Sequence, residues 1–179
     1  LEQEIRKAGG VPQMIPTGHV YFKHAMQADT SILLGGEVSS HTFIRDNFYG
    51  FDDGLYASLR VLELLSRTDK PLSKMFESIP KTYTTEEIKL HTPDEHKFMV
   101  INGIKRSLQE SWEIIAIDGV RVKFSDSAWA LVRASNTSSN ITLRFEAESQ
   151  AKLKEIMQII KSRLEEYPVV DSTQLIELL

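Results

Sequence analysis

The sequence predicts an incomplete α/β layer followed by an α+β domain with a four-stranded sheet and helices on one face. Helix and strand patterns alternate as far as about residue 65, the order that builds a parallel sheet. Breakers and polar residues then interrupt the pattern, beginning at Asp69, Lys70 and Pro71 and ending past Pro80. After Glu86, strand patterns cluster around an Asp118-Gly119 turn and a long amphipathic helix follows them. The expected division is an α/β portion at 1–68, a hinge at 69–85 and an α+β domain at 86–179.

In order, residues 1–8 read as the later part of a helix, with Arg6 and Lys7 ahead of a Gly9-Gly10 stop. No capping residue precedes it, so the expectation is a piece of a longer polypeptide. Residues 11–15 give a short strand with Pro12 at a first or edge position. A helix over 19–28 follows, with Thr17 as its cap. The apolar run 31–34 reads as a buried strand, and 42–44 as another. Asp52 or Asp53 caps a helix over 54–65, where Leu55, Leu59, Leu62 and Leu65 form a core face at helical spacing. A parallel sheet wants neighbours on its central strands, so further strands are expected ahead of Leu1.

Residues 72–78 suit a short helix. In the second half, 86–90 reads as a strand and Pro93-Asp94 opens a helix to about 107. Strands at 113–117 and 121–124 join through Asp118-Gly119, a strong hairpin signal. Strands at 129–132 and 141–146 follow, then a helix over 151–167 on Leu153, Ile156, Ile160 and Leu164. The tail adds a last helical turn.

Composition narrows the function. Hydrophobic content of 41% and charged content of 26% fit a soluble globular protein. A net charge of −4 leaves no broad basic face, which argues against nucleic acid as a partner. Cysteine is absent, which removes disulfides and thiolate chemistry. No apolar run approaches the roughly 20 residues that span a bilayer. With no signal-peptide pattern at the start either, the expectation is a cytoplasmic protein without a membrane partner.

Two loops carry the chemistry. In Gly35-Gly36-Glu37-Val38-Ser39-Ser40-His41, two glycines permit a sharp turn or close approach to a ligand. A carboxylate, a hydroxyl and an imidazole then fall on alternate residues, Glu37, Ser39 and His41. An extended segment would aim all three at one volume, which suits a polyol such as a sugar. The plainer alternative is a solvated turn. In the second loop, Arg133 heads residues 135–140, whose side chains are hydroxyls and amides throughout. A guanidinium fork beside such a loop suits phosphate, and an ordinary hairpin loop is again the alternative. A metal-hydrolase reading would use His19, Glu37 and His41 as ligands, without a close His pair at helical spacing to support it. The paired acids Asp52-Asp53 and Glu86-Glu87 suit a helix cap and a strand start better than a metal site.

Gly35-Gly36-Glu37-Val38-Ser39-Ser40-His41, followed by Phe51-Asp52-Asp53-Gly54, resembles the sugar-recognition loop of the α-D-phosphohexomutases, the phosphomannomutases and phosphoglucomutases. Arg133-Ala134-Ser135-Asn136-Thr137 resembles the phosphate-binding loop of that family's last domain. Thr17-Gly18-His19 resembles the segment whose His contacts the sugar. The likeness covers nearly the whole chain, as most of the third domain and all of the TATA-binding-protein-like fourth domain of a four-domain enzyme.

The resemblance implies an isomerase that interconverts hexose 1-phosphate and hexose 6-phosphate through a bisphosphate intermediate. It implies a phosphoserine in the first domain, Mg2+ held by an acidic motif in the second, and glucose or mannose bisphosphate as activator. Neither motif occurs here, so no catalytic residue or metal ligand is expected in this chain, and no activity from it alone. Its implied partners are the hexose phosphate substrate and the N-terminal domains of the same chain. The implied contacts are His19, Glu37, Ser39 and His41 on the sugar, and Arg133, Ser135, Asn136 and Thr137 on the phosphate, with closure at the hinge. Asn136 resembles the mannose/glucose enzymes, where the phosphoglucosamine mutase branch has Gly. Two positions depart from the pattern: Ser40 stands where many members have Gly, and Ser138-Ser139 replaces Glu-Pro. The rival assignments are a non-catalytic sugar-phosphate-binding module and the phosphoglucosamine mutase branch.

Overall fold

In the computed structural model, which describes residues 1–135 and 137–179, the chain forms one unit over Leu1–Pro80 and another over Lys81–Leu179. The first opens with α1 (Glu2–Lys7), acidic in its first turn and basic in its last, as the helix dipole favours. Residues 11–15 form no strand, contrary to expectation. Pro12 and Pro16 remove ladder donors, Val11 is 89% exposed, and no strand lies alongside among the described residues. The next helix, α2 (His19–Ala28), starts from Gly18 at φ 129, with no side-chain cap, where Thr17 was expected to serve.

The apolar run pairs later than expected, as β1 (Leu34–Gly36), which lies antiparallel to β2 (Thr42–Ile44). This replaces the expected parallel sheet with a two-stranded antiparallel ribbon. Residues 37–41 are too short a connection for a parallel crossover, which needs about a dozen residues or more. The buried apolar side chains of this unit are Met26 and Phe43, and Phe22 stacks on Phe43 with ring centroids 4.5 Å apart. Gly35 is required by that stack: a Cβ there would meet the Phe22 ring at 2.6 Å. The expectation for this glycine pair was a sharp turn or close approach to a ligand; at Gly35 the close approach is to the Phe22 ring.

Asp53 caps α3 (Gly54–Ser66), its carboxylate accepting from Tyr56 N–H at 2.8 Å. The expected core face is open: Leu55, Leu59 and Leu62 are 74%, 53% and 59% exposed. A helix buries its apolar stripe only where a second layer faces it, and the described residues here offer only the ribbon. The helix docks by another side, through Tyr56 stacked on Phe48 at 3.9 Å and Arg60 paired with Asp46 at 3.0 Å. A short α4 (Leu72–Met75) closes the unit, stopping before the expected 72–78.

The second unit runs β3 (Tyr83–Thr84), β4 (Ile88–His91), α5 (Asp94–Leu108), β5 (Glu113–Ile115), β6 (Val120–Lys123), β7 (Trp129–Ala134), β8 (Asn140–Ala147), α6 (Gln150–Leu164) and α7 (Thr173–Glu177). Its sheet has six antiparallel strands where four were expected, ordered β3-β8-β7-β6-β5 with β4 also on β8. The extra pairing follows from length. β8 is 8 residues long, so beside β7 it accepts β4 at Asn140 to Leu143 and β3 at Glu146 and Ala147. Inward residues alternate along each strand: Val120 and Val122, Ala130 and Val132, Leu143 and Phe145. They meet Val100, Ile104 and Leu108 of α5 and Ile156, Ile160 and Leu164 of α6, so the two helices cover one face.

Gly119 turns the β5–β6 hairpin at φ 82, and a Cβ there would lie 2.5 Å from the Val132 carbonyl oxygen and 2.8 Å from Arg133 Cα. The left-handed backbone alone costs a residue with a side chain about 1–2 kcal/mol, and the backbone clash adds to it. Gly119→Ala is therefore expected to lower unfolding free energy by more than ~1 kcal/mol, read from the urea midpoint followed by Trp112 and Trp129 fluorescence. An unchanged midpoint would contradict this packing of the turn.

Candidate functional site

Three separated segments of the first unit meet at one cleft. Gly18 N–H donates to Glu37 Oε1 at 2.8 Å, tying the β1–β2 turn to the start of α2. Glu37 Oε2 accepts from Ser39 Oγ at 3.2 Å. The turn is closed by Glu37 N–H on the His41 carbonyl and Ser40 N–H on the Glu37 carbonyl, each at 3.0 Å. Ser40 sits at φ 72, a left-handed backbone that glycine takes freely and serine does not. Residues 37–41 are thus a tight turn, and the expected presentation of alternate side chains from an extended segment does not occur.

A different arrangement brings the polar groups together. The cleft, about 700 Å3 in volume, is lined by Gly18, His19, Lys23, Glu37, His41, Phe51 and Asp52. His19, Glu37 and His41 share it as expected; Ser39 stands off the lining, with its hydroxyl on Glu37. His41 Nδ1 lies 2.5 Å from Asp52 Oδ2, and Asp52 Oδ1 accepts from Thr42 N–H at 3.1 Å. The His41 hydrogen bond, more than any other contact, holds the Asp52 carboxyl below its ordinary range; Thr42 N–H and the charges of His41 and His19 act the same way, and burial opposes them.

Lys23 escaped sequence reasoning, since it reads locally as an ordinary helix residue, and Phe51 entered only as part of the Phe51–Gly54 likeness. The helix cap was expected at Asp52 or Asp53; Asp53 takes it, and Asp52 faces His41. Among the described residues no group of three or more His, Cys, Asp or Glu side chains is arranged to hold a metal. The metal-hydrolase alternative for His19, Glu37 and His41 therefore lacks its site. The same absence means that the described residues offer no fitting site for Mg2+.

The other loop lies in the second unit. The pairs Arg133↔Thr142 and Ala134↔Ile141 end the β7–β8 ladder, and Ser135 N–H closes the loop on the Asn140 carbonyl at 2.9 Å. Strand alternation points Ala134 to the core and Arg133 to the opposite face. Arg133 Nη1 lies 3.2 Å from Asp118 Oδ2, while its Nε is buried with no hydrogen-bond partner among the described residues. Ser135 Oγ is 2.8 Å from Ser138 Oγ and accepts from Thr137 and Ser138 N–H at 3.3 and 3.2 Å. Asn136 lies outside the described residues. Beneath the loop, Lys97 of α5 is only 6% exposed. Its Nζ donates to the Ser135 carbonyl at 2.7 Å and the Ser138 carbonyl at 3.0 Å, and pairs with Asp94 at 2.8 Å. Lys97 was not singled out from sequence, and Asp118 only as half of the hairpin turn; the Asp94–Lys97 spacing alone signals a common helix-surface pair.

Each half of the chain matches a model of the same protein family. The family model described as phosphoglucomutase/phosphomannomutase, alpha/beta/alpha domain III, matches residues 1–83, and that for the C-terminal domain matches residues 87–162. The chain is 41% identical over 163 residues to a phosphomannomutase/phosphoglucomutase of Pseudomonas putida, covering 89% of this chain and 34% of that protein. It is 40% identical over 167 residues to a phosphoglucomutase of Neisseria gonorrhoeae, covering 92% and 36%. The crystal structure of a phosphoglucomutase/phosphomannomutase family protein from Burkholderia thailandensis superposes with a TM-score of 0.82 at 33% identity, over 94% of this chain and 36% of that one. The chain thus spans about a third of the length of these relatives. It belongs to the phosphoglucomutase/phosphomannomutase family, matching that family's domain III and C-terminal domain.

Proposed function

We propose that this chain is the substrate-reading part of a phosphomannomutase/phosphoglucomutase, an enzyme that interconverts hexose 1-phosphate and hexose 6-phosphate through a bisphosphate intermediate. The carrying observation is the cleft of about 700 Å3, where His19, Lys23, Glu37, His41 and Asp52 converge from three segments. Its volume falls in the usual range for small-ligand sites, roughly 300–1,000 Å3. The relatives' names supply the substrate class, mannose and glucose phosphates.

In this reading Glu37 accepts hydrogen bonds from sugar hydroxyls. His19 and His41 supply rings that can accept or donate, and Ser39 acts beside them through Glu37. Arg133, Ser135, Asn136 and Thr137 take the phosphate by a guanidinium fork, hydroxyls and loop amides. A mutase must accept its substrate in two orientations, since the 1- and 6-positions exchange places. Groups that both donate and accept suit that demand. In phosphoryl transfer most of the acceleration comes from positioning and charge neutralisation, and this chain contributes the positioning. The phosphoserine and Mg2+ would belong to the rest of a protein of the relatives' length. The chain alone then binds sugar phosphate without turnover. The division into 1–68, 69–85 and 86–179 accompanies this reading, with the middle segment as the joint.

The Asp52 carboxylate accepts from His41, so Nδ1 carries the proton and Nε2 remains for the ligand. A depressed carboxyl pKa means the contact contributes above the ordinary Asp range and is lost as pH falls through the lowered value. The side-chain carbon signal of Asp52 is expected to titrate below an ordinary aspartate and to move back toward it in His41→Ala. An identical midpoint in both proteins would remove the pairing. For the phosphate, Arg133→Ala in the full-length enzyme is expected to lower kcat/KM for glucose 1-phosphate by roughly 10- to 100-fold, the scale of one lost charge-assisted contact. Unchanged kinetics would rule out Arg133 as a phosphate ligand.

A further inference from the structure

We propose that Lys97 is the positioning residue of the phosphate loop: a buried ammonium that pins the Ser135 and Ser138 carbonyls inward and so holds the loop open to an anion. The inference rests on the reading of that loop as a phosphate site. An ammonium has three N–H donors. Lys97 uses them on three acceptors, the Ser135 carbonyl at 2.7 Å, the Ser138 carbonyl at 3.0 Å and Asp94 Oδ1 at 2.8 Å. No donor is spare, and the group is only 6% exposed, so it is a fixed pin where most lysines are mobile surface charges.

The consequence for the loop is geometric. In a trans peptide the carbonyl and the following N–H point to opposite sides. Turning the Ser138 carbonyl down to Lys97 therefore turns the Ser139 N–H away from it. The Thr137 and Ser138 N–H groups meanwhile converge on a single oxygen, Ser135 Oγ, at 3.3 and 3.2 Å. Converging backbone donors of this kind form an anion nest, and a phosphate oxygen would compete for the place of the hydroxyl. The same loop is tethered by Thr92 N–H on the Ser139 carbonyl at 2.9 Å.

Charge is the competing explanation, and its geometry is unfavourable. Asp94 neutralises Lys97 at 2.8 Å, so little net field reaches a ligand above the loop. The same ion pair, with Ser139 as a further partner, holds the Asp94 carboxyl below its ordinary range. Removing the ammonium would instead take the Lys97 donor from the Ser135 carbonyl and leave the Ser138 carbonyl with Asn140 N–H alone, at 2.8 Å, and the freed carbonyl would have to turn toward water.

The experiment uses the 179-residue chain and inorganic phosphate as probe. Amide NMR reads phosphate affinity at Thr137, Ser138 and Ser139, and heteronuclear NOE values read their order without ligand. Lys97→Met is expected to weaken phosphate binding roughly tenfold or more and to lower the NOE of these amides, with Val122 and Leu143 unchanged. Wild-type affinity in Lys97→Met overturns the inference and leaves the phosphate reading intact. Weaker binding with the loop as ordered as in wild type also overturns it, assigning Lys97 a charge effect only. If wild type itself shows no phosphate response at these amides, the phosphate reading fails and this inference with it. Should Lys97→Met not fold, Lys97→Gln, which keeps two donors and loses the charge, is judged by the same two readouts, with a smaller loss expected.

Discussion

The pairing of β7 with β8 is the constraint on which the second unit depends. Its register runs from Trp129↔Glu146 to Ala134↔Ile141, so every inward residue of one strand faces an inward residue of the other. A slip of one residue would carry Ala130, Val132, Leu143 and Phe145 out of the core. The same register sends Arg133 to the face away from α5 and α6 and leaves Ser135 and residues 137–139 beyond the paired strands at the sheet's end. Gly119 then lets the neighbouring hairpin turn press against Arg133, which is how Asp118 comes within 3.2 Å of the guanidinium. The candidate phosphate site is thus an outcome of core packing, transmitted through strand alternation.

The first unit holds its geometry differently. Met26 and Phe43 are its buried apolar side chains, and the leucine stripe of α3 is open. Its cleft is instead tied by polar contacts, Gly18 to Glu37 and His41 and Thr42 to Asp52. Hydrogen bonds of this kind are worth about 0.5–1.5 kcal/mol each, or 1.5–3 with a charged partner. They are directional enough to place a side chain, though a core does more to hold a backbone. Glu37 and His41 therefore carry two duties, shaping the turn and lining the cleft. That double role explains why the cleft-lining groups belong to the same few residues that close the ribbon.

What was readable in the sequence was local. The Asp118-Gly119 hairpin, the Asp53 cap and the stripes of α5 and α6 depend on neighbours a few residues away, and each formed where expected. The failures share a cause, dependence on a distant partner. Residues 11–15 have strand composition but no strand beside them among the described residues. Leu55, Leu59 and Leu62 have core periodicity but no opposing layer. Alternation from Glu37 to His41 failed because Ser40 adopts a left-handed backbone, which no period-two pattern anticipates. For both motif loops the residue types left an ordinary turn as the alternative, and only the resemblance favoured a ligand site. Lys97 stayed hidden because its partners Ser135 and Ser138 lie 38 and 41 residues away.

Under the proposed function, a phosphorylated hexose is read by different chemistry at two loops, its hydroxyls at the first and its phosphate at the second. Amide NMR of the chain titrated in parallel with glucose 1-phosphate, glucose and inorganic phosphate tests this most directly. Glucose should shift signals around Gly18, Glu37 and His41, phosphate those of Thr137 to Ser139, and glucose 1-phosphate both sets at lower concentration than either fragment. Glucose 1-phosphate shifts confined to one set, or absent from both, would contradict it.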